Sequence, residues 1–106
     1  WYGGQRGFGR YSTWAKDDAD AGRLYGRWMR DAARDPYCIG SIWFLMRDQP
    51  LTGRGPGRGD RLVYGEHFAF GLVTETDRPK WALVRQVREA NLRLPQWRIE
   101  ASKAPK

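Results

Sequence analysis

Ala21, Leu24, Tyr25, Trp28, Met29 and Ala32 recur at i, i+3, i+4, i+7, i+8 and i+11, which lays one continuous apolar stripe along a helix. Asp17, Asp18 and Asp20 stand where the helix dipole favours negative charge, and Arg30 and Arg34 stand near its opposite end. Asp35 precedes Pro36, which disfavours helix at the residue before it, so the pattern predicts a helix over 17–34. Tyr37 to Met46 then reads YCIGSIWFLM, an apolar run broken only by Gly40 and Ser41 and without polar alternation. That pattern predicts a strand over 37–46 buried on both faces, as parallel strands between helices are. Following a helix across one Asp-Pro turn, it is the second half of an αβ unit.

Arg47 to Leu62 reads RDQPLTGRGPGRGDRL, and its glycines and prolines predict a long loop that extends over 47–67. Loops of this length tend to be functional or disordered, and this one leaves the carboxyl end of the predicted strand, where α/β folds place their sites. Phe68 to Val73 is a short extended piece. A second helix is predicted over 77–94, capped by Thr76 or Asp77, with Pro79 in its first turn and Pro95 ending it. Leu83, Val84, Val87, Ala90, Asn91 and Leu94 form its inward face. The stretch 1–16, aromatic and Gly-rich without periodicity, reads as a loop, and 99–106 as a disordered tail. A single unit over 1–98 results.

One strand and two helices do not close a core. A strand apolar on both faces needs neighbours along both edges and cover above and below. The chain is therefore expected to be the terminal part of a larger parallel α/β fold, or to receive its missing strands from a partner chain.

Length and composition sharpen this picture. The 106 residues suffice for one domain, and 41% apolar and 29% charged residues are a globular balance rather than a disordered one. One cysteine, Cys38, and one histidine, His67, leave no disulfide framework and no zinc cluster, so no metal or other cofactor is expected. No apolar run is long enough for a membrane span, and no signal peptide is visible at the start. The chain opens at Trp1 without an initiating Met, which is the expectation for a processed, trimmed or incomplete polypeptide. A net charge of +7 permits polyanion binding, but the basic residues are scattered as on solvated helix faces.

Three stretches carry a family resemblance: DPYCIGSIWFLMRDQPLTGR from Asp35 to Arg54, GEHFAFGLVTETDRP from Gly65 to Pro79, and LVRQVREANLRL from Leu83 to Leu94. Together they resemble the carboxyl-terminal end of the clan-A (β/α)8 glycoside hydrolases, in particular the agarase and β-galactosidase-like families. The resemblance implies an α/β fold, the C-terminal portion of a TIM barrel that is incomplete in this chain. In it, 17–34 would be the seventh helix, 37–46 the eighth strand and 77–94 the last helix. It also implies a retaining hydrolase acting on β-linked, galactose-containing polysaccharide, with an oligo- or polysaccharide as its partner.

In such enzymes an aromatic at the end of strand eight forms a platform beneath the sugar, and Trp43 occupies the matching place. A Trp ring suits the apolar C–H face of a sugar, although a core role would use the same residue. Asp48, Gln49 and Arg54 would line or brace the cleft, with Arg47 and Asp48 able to form a local ion pair. Glu66 matches a recurrent Glu and would hydrogen-bond sugar hydroxyls or anchor the loop. His67 stands where the agarase-like pattern usually has Asn. The Glu pair that performs the hydrolysis is expected outside this chain, which should be inactive alone.

Two rival readings remain open. Gly53-Arg54-Gly55, Gly57-Arg58-Gly59 and Gly7-Phe8-Gly9-Arg10-Tyr11 mix Arg, Gly and aromatics as RNA-binding tails do. The predicted helices and strand, which such tails lack, weigh against a nucleic-acid partner. The other rival is a non-catalytic interaction subunit.

Overall fold

The computed structural model describes residues 15–53 and 67–103. Its regular elements are two helices, α1 (Asp18–Arg34) and α2 (Trp81–Lys103), packed against each other. The α/β barrel portion expected from the sequence is overturned: among the described residues the only β pairing is a parallel bridge between Arg47 and Val73 and an antiparallel one between Val73 and Pro79. Tyr37 to Met46 joins no strand ladder. Ile39 and Ile42 are 101% and 96% exposed, and Tyr37, Phe44 and Met46 are also open to solvent. The physical reason is the absence of pairing edges. Continuous apolar character reports that a segment suits burial, whereas strand geometry also requires neighbouring backbones, and among the described residues only its last residue, Met46, bonds the backbone of another segment, at Leu72 and Val73. Burying each large side chain would be worth roughly 1.5–3 kcal/mol, which this arrangement leaves unrealised.

The start of α1 is fixed by its acids. Asp17 adopts an extended conformation, and its carboxylate accepts the backbone N–H of Asp20 at 2.8 Å. The Asp20 carboxylate accepts the Lys16 backbone N–H at 3.0 Å and pairs with Arg23. The Lys16 N–H first, then Arg23, hold its pKa below the ordinary carboxylate value. A depressed carboxylate pKa contributes stability above its unfolded value and loses it as pH falls through the folded one, so the helix start weakens in acid. Removing the cap with Asp17→Ala is expected to cost about 1 kcal/mol in urea unfolding. An unchanged midpoint would show that Asp17 caps nothing.

The two helices approach closely because α1 offers glycine at the crossing. A Cβ on Gly22 would stand 2.8 Å from the Gln86 Cβ, and one on Gly26 would stand 4.0 Å from the Ala90 Cβ. Gly22 and Met29 of α1 are buried, as are Leu83, Val87 and Ala90 of α2, spaced i, i+4 and i+7. Polar side chains pin the contact. Gln86 donates to the Ala19 carbonyl at 2.9 Å, and the Tyr25 hydroxyl donates to the Asn91 side-chain carbonyl at 2.7 Å.

Helix α2 departs from expectation at both ends. Thr76 and Asp77 do not cap it. They belong to a turn in which the Thr74 hydroxyl accepts the backbone N–H groups of Thr76 and Arg78, and Asp77 takes φ 61°. The helix begins after Pro79, with the Lys80 carbonyl accepting from the N–H groups of Leu83 and Val84. Pro95 does not end it, and the helix runs on to Lys103 through the stretch expected to be disordered. The second half is held from outside: the Arg98 guanidinium donates to the carbonyls of Ala33 at 3.2 Å and Pro36 at 3.0 Å, and also to Asp35. It thereby satisfies the end of α1 with a cation at the negative pole of the helix. No helix of the described residues is long and apolar enough to cross a membrane.

Candidate functional site

The candidate residues converge where 43–49 meets 67–80. The Asp48 carboxylate accepts the Lys80 ammonium at 2.6 Å and the Gly71 backbone N–H at 2.8 Å. Both charged side chains are almost wholly withdrawn from water, at 0% and 1% exposure. Lys80 is turned inward by its backbone N–H, which donates to the Leu72 carbonyl at 3.0 Å.

Backbone bonds on either side complete a knot. The Met46 carbonyl accepts from the N–H groups of Leu72 at 2.8 Å and Val73 at 3.0 Å, and the Asp48 N–H donates to the Val73 carbonyl at 2.9 Å. Gln49 is buried and exchanges two bonds with Phe68: its N–H donates to the Phe68 carbonyl at 3.1 Å, and its side-chain carbonyl accepts the Phe68 N–H at 2.9 Å. Gly71 is required at the centre, since an added Cβ would lie 2.3 Å from the Arg47 carbonyl carbon and the Asp48 nitrogen. Arg47 points the other way, bonding the Glu75 carbonyl at 2.6 Å and the Asp77 carboxylate at 3.3 Å. The local Arg47–Asp48 pair considered from the sequence is therefore replaced by two pairs reaching across the knot.

Trp43 is half-buried, and its indole N–H donates to the Phe70 carbonyl at 2.8 Å. Its ring meets that of Tyr25 with centroids 5.2 Å apart. Burial pushes the Tyr25 phenol pKa up, with the Asn91 bond acting in the opposite sense, so the group stays neutral and donates. Beyond Trp43 runs an aromatic row: Phe44 sits edge-on to Phe70 at 6.2 Å, Phe70 stacks with Phe68 at 5.0 Å, and Phe68 stacks with His67 at 6.0 Å. Arg54 and Glu66 lie outside the described residues. Trp43, Asp48 and Gln49 are thus brought into one neighbourhood, Trp43 partly open and the other two enclosed.

Lys80 and Gly71 are absent from the sequence reading. A lysine directly before a helix looks like a solvated charge, and no spacing rule links it to an acid thirty-two positions earlier. Among the described residues no group of three or more His, Cys, Asp or Glu could hold a metal ion. An aromatic row beside amide and backbone groups suits a ligand with one apolar face and several hydroxyls.

No protein-family profile matches the chain. It is 32% identical over 77 residues, 73% of its length, to Beta-agarase B of Vibrio sp. (strain JT0107), of which those residues make up 7%. The solved structure of an exo-β-agarase superposes with a TM-score of 0.67 at 33% identity, covering 80% of this chain and 10% of that one. PfGH50B superposes with a TM-score of 0.65 at 28% identity, covering 77% and 11%. The chain therefore spans about a tenth or less of the length of these proteins. The likenesses support a glycoside hydrolase relation.

Proposed function

We propose that this chain is a segment of a retaining, agarase-like glycoside hydrolase that acts on β-linked, galactose-containing polysaccharide, with the catalytic carboxylate pair supplied by polypeptide beyond these residues. The observation that supports the reading most is the likeness to an exo-β-agarase across 80% of the chain at 33% identity and a TM-score of 0.67. The chemistry of the site is compatible. Asp48, enclosed and bound to Lys80, is a holding group and not an acid or base facing substrate. Together with Gln49 it fixes residues 47–49 against 68–73, and the assignment of Arg54 and Glu66 to the sugar site rests on the sequence resemblance. Trp43, anchored by Phe70 and Tyr25, offers the open part of its ring to a sugar face.

The test is a segment exchange, in which residues of this chain replace the matching 77 residues of the Vibrio enzyme. The exchanged enzyme is expected to hydrolyse agarose, and Trp43→Ala within it to lower kcat/KM by about tenfold to a hundredfold, the loss of one aromatic contact. A folded but inactive exchange would refute the reading. An active exchange indifferent to Trp43→Ala would remove Trp43 from the sugar site.

A further inference from the structure

Arg23, Arg27, Arg30 and Arg34 recur along α1 at i, i+4, i+7 and i+11, so charges that look scattered in the linear sequence form one stripe on the folded helix. From Arg23 to Arg34 the stripe extends roughly 16 Å along the axis, at the rise of an α-helix. All four side chains are exposed. Arg23 pairs with Asp20, whereas Arg27, Arg30 and Arg34 make no ion pair and no hydrogen bond among the described residues.

The acids of α1 do not quench the other three. Asp18 and Asp20 stand in the first turn, before Arg27. Asp31 lies four residues after Arg27 and three before Arg34, yet it is exposed and pairs with neither. An acid placed C-terminal to its base is also the weaker orientation on a helix. Like charges three and four residues apart repel, so the stripe loosens α1 until an anion lies along it.

The basic residues of α1 are arginines without a lysine among them. Arginine presents a planar fork that grips an oxyanion through two parallel N–H groups, whereas lysine offers a point charge. A row of such forks suits a polymer whose anionic groups recur along its length, since a single small anion meets no more than two neighbours in the row.

We propose that the arginine stripe of α1 is a binding site for a galactan bearing sulfate esters, with the sulfates lying along Arg23, Arg27, Arg30 and Arg34. The galactan identity rests on the agarase-like reading, and the anionic character rests on the stripe. A nucleic acid fits less well. Single strands are held by aromatic platforms beside the charges. The exposed aromatic of α1, Trp28, lines an apolar groove with Leu24, Ile42 and Phe44, and of the four arginines only Arg27 lines it too. A helix that reads a duplex leads with its N-terminal end, and here that end carries Asp17, Asp18 and Asp20.

The experiment titrates the 106-residue chain with three probes: a carrageenan hexasaccharide, the same sugar after desulfation, and a single-stranded oligonucleotide of equal charge. At about 50 mM salt the sulfated sugar should bind about tenfold or more tightly than either of the others, and it should lose about tenfold or more of that affinity at about 200 mM. It should also raise the melting temperature, as a ligand of the folded state does. Arg27→Gln with Arg30→Gln should weaken its binding about tenfold or more without lowering the melting temperature of the free chain. Arg85→Gln with Arg88→Gln removes the same charge from exposed positions of α2 and should change the affinity by less than about threefold. Equal losses in the two double variants would overturn the stripe as a site, because net charge alone would then attract the sugar. No binding, or equal binding of the sulfated and desulfated sugars, would overturn it as well. Tighter binding of the oligonucleotide would overturn it in favour of a nucleic acid. The segment exchange keeps the two claims apart: sulfate-dependent binding at the stripe beside an inactive exchanged enzyme keeps the stripe and removes the agarase reading, and agarose hydrolysis without such binding does the reverse.

Discussion

Lys80→Met lowers the unfolding free energy of the chain by about 3–5 kcal/mol, because it strands the Asp48 carboxylate in an enclosed site without its ammonium partner. Desolvating two charges is expensive, and their attraction offsets that cost only while both are present. The double variant Lys80→Met with Asp48→Asn should recover most of the loss, since the side-chain carbonyl of asparagine can still accept the Gly71 N–H while no charge remains buried. Urea unfolding of the wild type, the single and the double variant measures the cycle. A single-variant cost below about 1 kcal/mol, the value of an exposed pair, would mean that water reaches Asp48.

Gly71→Ala is expected to be comparably damaging for a different reason. The new Cβ would meet the Arg47 carbonyl carbon and the Asp48 nitrogen at 2.3 Å and the Val73 oxygen at 2.6 Å, all backbone atoms that cannot rotate aside. The two segments must separate, which breaks the bonds from Leu72 and Val73 to Met46. A loss of about 3 kcal/mol or more follows, at the upper end of overpacking effects. Gly40→Ala is the control, as nothing stands within 4 Å of its Cβ position. Equal midpoints for the two variants would show that the knot is looser than described.

How much of this was legible in the sequence depends on how local the cause is. The stripe from Ala21 to Ala32 reads as a helix because its period is set by the backbone of the same residues, and Asp17 and Asp20 mark the start through bonds spanning three or four positions. The end of α2 was hidden. Pro95 is a local stop signal, but the bonds from Arg98 to the end of α1 connect positions more than sixty apart and keep the helix going. The stretch from Tyr37 to Met46 failed as a strand for the same kind of reason: its composition is a statement about burial, and pairing depends on other backbones.

The site divides in the same way. Trp43, Asp48 and Gln49 stand out as an aromatic, an acid and an amide at the end of an apolar run, and the structure brings them together. Their partners Lys80, Gly71 and Phe70 carry no signal of their own, since each matters only through a contact with a distant part of the chain. Arg47 illustrates the limit. Adjacency suggested a pair with Asp48, yet the turn at Thr74 to Arg78 presents the Glu75 carbonyl and the Asp77 carboxylate in better positions.

The central claim is that a knot of buried polar contacts organises this polypeptide while the adjoining apolar stretch stays uncovered. Residue-resolved amide hydrogen exchange on the isolated chain tests it directly. The account predicts that the amides of Asp48, Gln49, Leu72, Val73 and Lys80 exchange as slowly as the packed core of α1 and α2, and that those of Ile39, Ser41, Ile42 and Phe44 exchange at nearly unfolded rates. Fast exchange throughout the knot, or strong protection across Ile39 to Phe44 in the monomer, would contradict it.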